Sequence, residues 1–428
     1  MRLINNILFS VFCLFAADVF ALDYVGVCTH FALGRGKVES SLGLVKSLGF
    51  NSFRDEIYWD HVEGMKGRYF IPQSAKDYSL LARDQQLSML IPLGYGNPLY
   101  GSKKPTDNLS RLGYIQYASF VLDKFKGQGN IYQIWNEWDQ KTGGTPKGEL
   151  KDYLQLVQNT LPALRRVDPS AKLLVGGFSS KVDIGDWLAE VVSLDEFKYA
   201  DGVAFHPYVH YRSGDDSLAE AMYQNVIGIQ EKIRAKRNGA YVNMYITELG
   251  WPSFGKITEN HTADQLTRTI LLLSTLPYVK GVWLYDLQND GLNMGDPEHN
   301  FGLLDFYGRP KTSFYQIKDV VAVVSSLNSP QLYSDGSVFA VTGKKRDGSG
   351  GVVVFWSKKN SVELAFVAKN EATKAVLRKI GSNALSSPWA TDSGKFVTNA
   401  NSTPQVIDLG NASVDVKGSS GNLIVRFQ

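Results

Sequence analysis

At 428 residues the chain is too long for one ordinary globular core and suits two unequal domains. Apolar residues at 44% and charged residues at 20% exclude wholesale disorder. Lys+Arg 45 against Asp+Glu 42 leaves a net charge of +3, without the basic excess of a nucleic-acid binder, and two cysteines exclude a disulfide scaffold or a thiolate zinc site. The unusual figure is 12% aromatics, with Trp 8, Tyr 21 and Phe 22.

Residues 1–21 read as a secretory signal peptide: Arg2 near the start, an apolar run from Ile7 to about Ala16, and Val19 and Ala21 before the cleavage point. The apolar run is well short of the roughly 20 residues of a membrane span, so the mature protein is expected outside the cytoplasm, secreted or periplasmic, with no membrane span. The mature chain keeps one cysteine, Cys28, whose apolar surroundings (Tyr24-Val25-Gly26-Val27) mark a small core residue.

From Tyr24 to Tyr285 short apolar runs alternate with segments of helical period. Predicted strands are Tyr24–Cys28, Ser52–Asp55, Ser88–Leu93, Ile131–Trp135, Lys172–Gly176, Gly202–His206, Met244–Glu248 and Val282–Tyr285. Predicted helices between them include Glu39–Leu48, Asp77–Gln86, Tyr114–Phe125, Leu150–Val167, Ile184–Val192, Leu218–Arg237 and Thr262–Leu276. This alternation predicts an α/β fold, a (β/α)8 TIM barrel over residues 22–327, and no strand is followed by a Gly-rich phosphate loop. A last helix, Asp319–Leu327, closes it. Residues 328–428, rich in short strands and turn residues, predict a C-terminal β-sandwich that supports the barrel, with Trp356 and Trp389 as the residues through which it would bind glycan if it does.

In such a barrel the strand C-termini converge on one face and carry the reactive side chains. The second strand ends at Arg54-Asp55 with Trp59 soon after, the fourth at Trp135-Asn136-Glu137-Trp138, the sixth at His206-Pro207-Tyr208, the seventh at Thr247-Glu248-Leu249-Gly250-Trp251, and the eighth at Trp283-Leu284-Tyr285-Asp286. Glu137 and Glu248 close apolar strands, where a carboxylate is costly unless it has partners or a use. Strands four and seven face each other across the mouth, and two opposed carboxylates are what glycoside hydrolysis requires. His206 and His210 lie four residues apart outside a helix, a poor metal geometry, so no metal and no other cofactor is expected.

Trp135-Asn136-Glu137, His206-Pro207-Tyr208 and Thr247-Glu248-Leu249-Gly250-Trp251 resemble glycoside hydrolase clan A. The likeness spans residues of about 24 to 325 and is nearest to family 39 and to bacterial exopolysaccharide hydrolases of the Psl type. Trp138 stands where many clan members carry proline. The resemblance implies a retaining glycosidase, with Glu137 as acid/base and Glu248 as nucleophile about 5–5.5 Å apart. The acid should sit in a drier setting, flanked by Trp135 and Trp138, while Arg54 and Tyr208 hold the nucleophile anionic. Asn136 is expected on the sugar 2-hydroxyl, and His206 near the acid/base or a substrate hydroxyl.

Five of the eight tryptophans, Trp59, Trp135, Trp138, Trp251 and Trp283, fall at or beyond strand ends. Trp59, Trp138, Trp251 and Trp283 are therefore expected as sugar-stacking platforms, with Trp135 a candidate for packing. The loop Gln288–Asn300, with Asp290, Asp296 and Glu298, is either a subsite wall or a solvated loop. The expected protein is a secreted, monomeric, endo-acting enzyme on a polysaccharide of neutral sugars. The alternatives are an exo-acting β-xylosidase or other β-glycosidase, and a non-catalytic carbohydrate-binding protein. The Gly-, Pro- and Lys-rich connection Tyr95–Arg111 favours an open groove.

Overall fold

The computed structural model describes residues 22–428 apart from 102, 359–360, 369–374, 383–387, 390–394, 411–413, 419–423 and 427–428. The predicted signal peptide, residues 1–21, lies outside the described residues.

Eight parallel strands close into a barrel in chain order: β1 (Tyr24–Cys28), β2 (Ser52–Arg54), β3 (Ser88–Leu93), β4 (Ile131–Ile134), β5 (Lys172–Ser179), β6 (Gly202–His206), β7 (Met244–Leu249) and β8 (Val279–Leu284), with β1 pairing β8. Helices fill the crossovers: α1 (Val38–Ser47), the single turn α2 (Trp59–Val62), α3 (Gln73–Asp84), α4 (Asn108–Lys124), α5 (Leu150–Val167), α6 (Ile184–Val192), α7 (Ala219–Lys236) and α8 (Glu259–Leu273). A ninth helix, α9 (Thr312–Ser326), follows β8. It begins seven residues before the helix read from the sequence, because Phe314 and Ile317 pack in the core ahead of Val320 and Val324. No described helix is long and apolar enough to cross a membrane.

Alternation along the strands divides the apolar residues between two layers. Cys28, Leu90, Ile131, Leu174, Ala204, Tyr245 and Trp283 point inward and fill the barrel. Val27, Phe53, Met89, Ile91, Ile134, Val175, Val203 and Ile246 point outward onto the helices. The Trp283 indole needs a gap on its neighbours: a Cβ at Gly26 would lie 2.5 Å from its ring, and one at Gly281 2.6 Å. β5 runs to Ser179, beyond its predicted end, through a register shift against β6 at Gly176 and Gly177, both in the left-handed region.

Leu327, assigned to the barrel from the sequence, opens β9 (Leu327–Ser334) of the C-terminal domain. The further strands are β10 (Val338–Lys345), β11 (Gly351–Ser357), β12 (Val362–Ala368), β13 (Ala375–Lys379), β14 (Pro388–Trp389), β15 (Lys395–Ala400), β16 (Gln405–Gly410), β17 (Val414–Gly418) and β18 (Ile424–Arg426). They form a six-stranded sheet, β14-β13-β16-β11-β10-β9, and a four-stranded one, β15-β12-β17-β18. Val338, Ala340, Val353, Phe355, Ile407 and Leu409 of the larger sheet pack against Leu364 and Ala400 of the smaller. The opposite face, with Phe339, Val341, Val352, Val354 and Trp356, joins the core of the barrel helices. Burial on both faces explains the unbroken apolar run Val352-Val353-Val354-Phe355-Trp356.

Candidate active site

The β4 end breaks the strand rule that consecutive side chains point to opposite faces. Trp135 and Glu137 both take left-handed backbone angles, φ 64° and 43°. As a result Asn136 and Glu137, neighbours in sequence, both line one cavity at the barrel mouth. The unusual backbone is held on several sides. Glu137 N donates to Gly177 O at 2.9 Å, Trp135 Nε1 to Gly143 O at 2.8 Å, and Trp138 Nε1 to Glu149 O at 2.9 Å. Lys104 threads the following loop, its Nζ donating to the carbonyls of Gln140 and Pro146 at 2.9 Å each and also to that of Gly144.

Glu248 comes from β7 and meets Glu137 across the mouth. An oxygen of each, with a nitrogen of His206, lies within 4.8 Å of the others. That separation is on the retaining side of the roughly 6.5–9.5 Å that an inverting enzyme needs for its water. Arg54 Nη2 from β2 donates to Glu248 Oε1 at 2.7 Å and to Asn136 Oδ1 at 2.9 Å, while Nη1 lies 3.2 Å from Glu56 Oε1. Tyr208 OH donates to Glu248 Oε2 at 3.3 Å, and Asn136 Nδ2 to Tyr95 OH at 2.9 Å. Burial, and then the Glu248 charge, push the Tyr208 hydroxyl well above its ordinary range, so it stays a donor.

His206 is fully buried behind the two carboxylates. Its Nδ1 lies 3.2 Å from Glu137 Oε1 and 3.5 Å from Glu248 Oε2, and its Nε2 3.1 Å from Thr247 Oγ1. A nitrogen facing two carboxylates must be the donor, so Nδ1–H donates to Glu137, while Nε2 hydrogen-bonds the Thr247 hydroxyl. Burial alone would raise Glu137. The hydrogen bond and charge of His206, the hydrogen bond from Thr142 Oγ1 and the charge of Arg54 outweigh it and hold the carboxyl below its ordinary value. The flanking expected from Trp135 and Trp138 does not form, because both indoles turn away into the core, with ring centroids 5.5 Å apart.

The central cavity, about 480 Å³, brings together Arg54, Asn136, Glu137, Tyr208 and Glu248 of the residues read from the sequence. His206 lies beneath it and touches the carboxylates rather than the opening, so it positions them and is not a substrate contact.

The tryptophan platforms are corrected. Trp59, Trp138, Trp251 and Trp283 are all buried, at 1% exposure or less, and none lines the cavity. Each indole N–H finds an acceptor inside the protein: Trp59 on Glu63 Oε2, Trp138 on Glu149 O, Trp251 on Ser217 O and Trp283 on Ser52 Oγ. With no indole face left free, none can stack on a sugar. The aromatic wall is tyrosine instead: Tyr58 stacked on Tyr95 at 5.7 Å, then Tyr208, Tyr211 and Tyr285. A phenol with an apolar body and a wet hydroxyl suits a half-hydrated mouth.

Several lining residues were missed in the sequence: His30 after β1, Glu56 after β2, Tyr95 after β3, and Thr142 and Lys181 in the loops after β4 and β5. For the first three the signal was available, since each lies within two residues of a strand C-terminus. The Gln288–Asn300 loop is a wall, contributing Asp290 and Glu298. His30 Nδ1 lies 3.0 Å from Asp290 Oδ1 and 3.7 Å from Asp286 Oδ2, and Arg35 also pairs with Asp290. Burial depresses His30, but the Asp290 hydrogen bond and the charges of Asp286 and Asp290 outweigh it and push it up to about 9. Among the described residues, two groups gather three possible metal-ligand atoms within 4.8 Å: Glu137, His206 and Glu248, and His30, Asp286 and Asp290. In both, a cationic side chain, Arg54 or Arg35, already pairs with a carboxylate.

No protein-family model matches the sequence, and no curated protein matches it. Solved structures do match in fold. A family 39 glycoside hydrolase from the gut symbiont Bacteroides cellulosilyticus WH2 is 24% identical, with 91% of this chain and 81% of that one covered at a TM-score of 0.77. A family 39 β-xylosidase from Caulobacter crescentus is 15% identical over 92% and 97%, at 0.64. A family 30 endoxylanase from Clostridium papyrosolvens C71 is 13% identical over 91% and 96%, at 0.60. The chain shares with these structures both the barrel and the C-terminal sheets, over nine-tenths of its length.

Proposed function

We propose that this chain is a secreted, monomeric, retaining β-glycosidase that cleaves within a polysaccharide, a bacterial exopolysaccharide of neutral sugars. One observation carries the reading: two carboxylates from opposite barrel strands lie within 4.8 Å, one clamped by Arg54 and Tyr208, the other against His206 and Thr142. In the first step a Glu248 oxygen bonds to the anomeric carbon as the bond to the leaving oxygen breaks, and Glu137 gives that oxygen its proton. In the second, Glu137 takes a proton from water, the water oxygen bonds to the anomeric carbon, and Glu248 departs. Arg54 and the Tyr208 hydroxyl each bind one oxygen of Glu248 and aim it, and Asn136 offers its amide to the sugar.

The cavity also supports neutral sugars. Glu56, Glu137, Glu248, Asp290 and Glu298 face it against Arg54, Lys181 and His30, an excess of carboxylates that would repel a polyanion. Export rests on the 1–21 segment. An exo-acting β-xylosidase is the second reading, favoured by the fold shared with the Caulobacter enzyme.

The test is Glu137→Gln and Glu248→Gln, made separately and assayed on a panel of β-glycans, with the anomer of the first product followed by NMR. Each variant is expected to lose about 10²–10⁴-fold or more in kcat, and the wild type to release the retained anomer. Full activity in either variant, or an inverted product, overturns the mechanism.

A further inference from the structure

Three cavities adjoin at the barrel mouth. The central one shares His30 and Asp290 with a cavity of about 290 Å³ at the β8–β1 edge. It shares Ser180 and Tyr208 with another of about 290 Å³ beside α6 and α7. The cavity that holds the two carboxylates is therefore continued at two places by a further cavity.

The β8–β1 cavity contains an unexplained group. Asp286 is 1% exposed and lines it, yet neither of its carboxylate oxygens has a hydrogen-bond partner. Its nearest cation is His30, whose Nδ1, 3.7 Å away, is committed to Asp290 at 3.0 Å. A buried carboxylate without donors is costly, and a ligand that supplies donors removes the cost. A metal cation fits poorly, because His30 and Arg35 already bring positive charge to Asp290. Neighbouring hydroxyls of a sugar ring fit well: they are neutral donors, and two of them can meet the two oxygens of one carboxylate. Phe306, 40% exposed at the same cavity, offers an apolar face for the ring's C–H side.

We propose that the β8–β1 cavity is a second glycone-side sugar subsite, with the Asp286 carboxylate accepting hydrogen bonds from ring hydroxyls. The proposal rests on the glycosidase reading and gives it a direction. Glu137, on β4, protonates the leaving oxygen, so the aglycone lies on the β4–β5 side with Thr142 and Ser180. β8 and β1 are on the opposite side of the closed barrel, where the glycone must lie. Two glycone sugars bound together mean release of a glycone longer than a single end residue.

The experiment compares matched chromogenic pairs, 4-nitrophenyl β-xyloside with β-xylobioside and 4-nitrophenyl β-glucoside with β-cellobioside. Wild type, Asp286→Asn and Phe306→Ala are measured, and the ratio of kcat/KM for the two-sugar over the one-sugar glycone is read. The wild-type ratio is expected to be about ten or more, and each variant to lower it about ten-fold. Should Asp286→Asn fail to fold, Phe306→Ala, at an exposed lip, carries the test. A wild-type ratio near one, or a ratio unchanged in the variants that fold, overturns the subsite and leaves the glycosidase reading standing. A wild type inert on both pairs and on the β-glycan panel overturns that reading and the subsite with it.

Discussion

At the scale of single residues, the site turns on how charge is shared among five side chains. Arg54 spends one nitrogen on both Glu248 and Asn136 and another on Glu56, a fork that an ammonium cannot reproduce. Arg54→Lys is therefore expected to lower kcat by about 10²-fold and to lower the melting temperature, because buried carboxylates lose part of their compensation. Kinetics and thermal unfolding check both, and unaltered kcat would remove Arg54 from the machinery. His206 makes a pH prediction. Glu137 must be protonated to act as the acid, so activity falls as pH rises through its pKa. His206 and Thr142 hold that pKa low, which puts the alkaline limb of free-enzyme kcat/KM at acidic pH. His206→Asn removes the charge and the ring donor, so Glu137 rises and the limb moves to higher pH. A limb that stays or moves down shows that His206 does not set it. The two glutamates, Arg54 and Tyr208 were legible in the sequence because a polar side chain at the end of an apolar strand is costly unless it has partners or a use. The depression of Glu137 was not, since it depends on a histidine 69 residues away in sequence.

At the scale of elements, the eight strands were legible from alternation and the helices from their apolar spacing. Strand ends were less so where glycine intervenes, as at Gly176–Gly177 in β5, because a bulge carries no hydrophobic signature. The tryptophans show the larger limit. Position at a strand end does not say which way a side chain points, and the left-handed turn at Trp135–Glu137 inverts the order expected from pleating. Trp283 makes the distinction measurable. It packs on Tyr24 at 6.0 Å, donates to Ser52 Oγ at 3.0 Å and fills the space left by Gly26 and Gly281. A core residue predicts that Trp283→Phe costs about 1–3 kcal/mol of stability, from lost packing and one hydrogen bond, with KM unchanged. A platform predicts the reverse, so a raised KM at wild-type stability would restore Trp283 as a sugar contact.

At the scale of the whole molecule, the sandwich joins the barrel through a shared core as well as polar contacts. Trp356, a candidate glycan contact from the sequence, is fully buried, stacked on Phe339 at 5.5 Å, and donates to Glu220 Oε1 of α7 at 2.7 Å, so it belongs to the domain junction; the Trp389 side chain lies outside the described residues. Arg268 of α8, 1% exposed, completes the junction. Its Nη1 reaches the same Glu220 oxygen at 3.3 Å, Nε donates to Ser402 O at 3.1 Å and Nη2 to Ser357 O at 3.2 Å. One ion pair thus ties two barrel helices to two points of the sandwich. Because the larger sheet buries one face on those helices, the domains are expected to unfold in a single transition. Buried pairs have an uneven energetic signature: deleting one partner strands the other, whereas replacing both with apolar side chains is close to neutral. Arg268→Met alone is expected to cost about 3–5 kcal/mol, and Glu220→Leu with Arg268→Met to recover most of that loss. Denaturant unfolding of the single and double variants measures the difference. A single variant as stable as wild type would show that the apolar face alone holds the domains, and a double variant worse than the single would show that Glu220 serves Trp356 more than it serves Arg268.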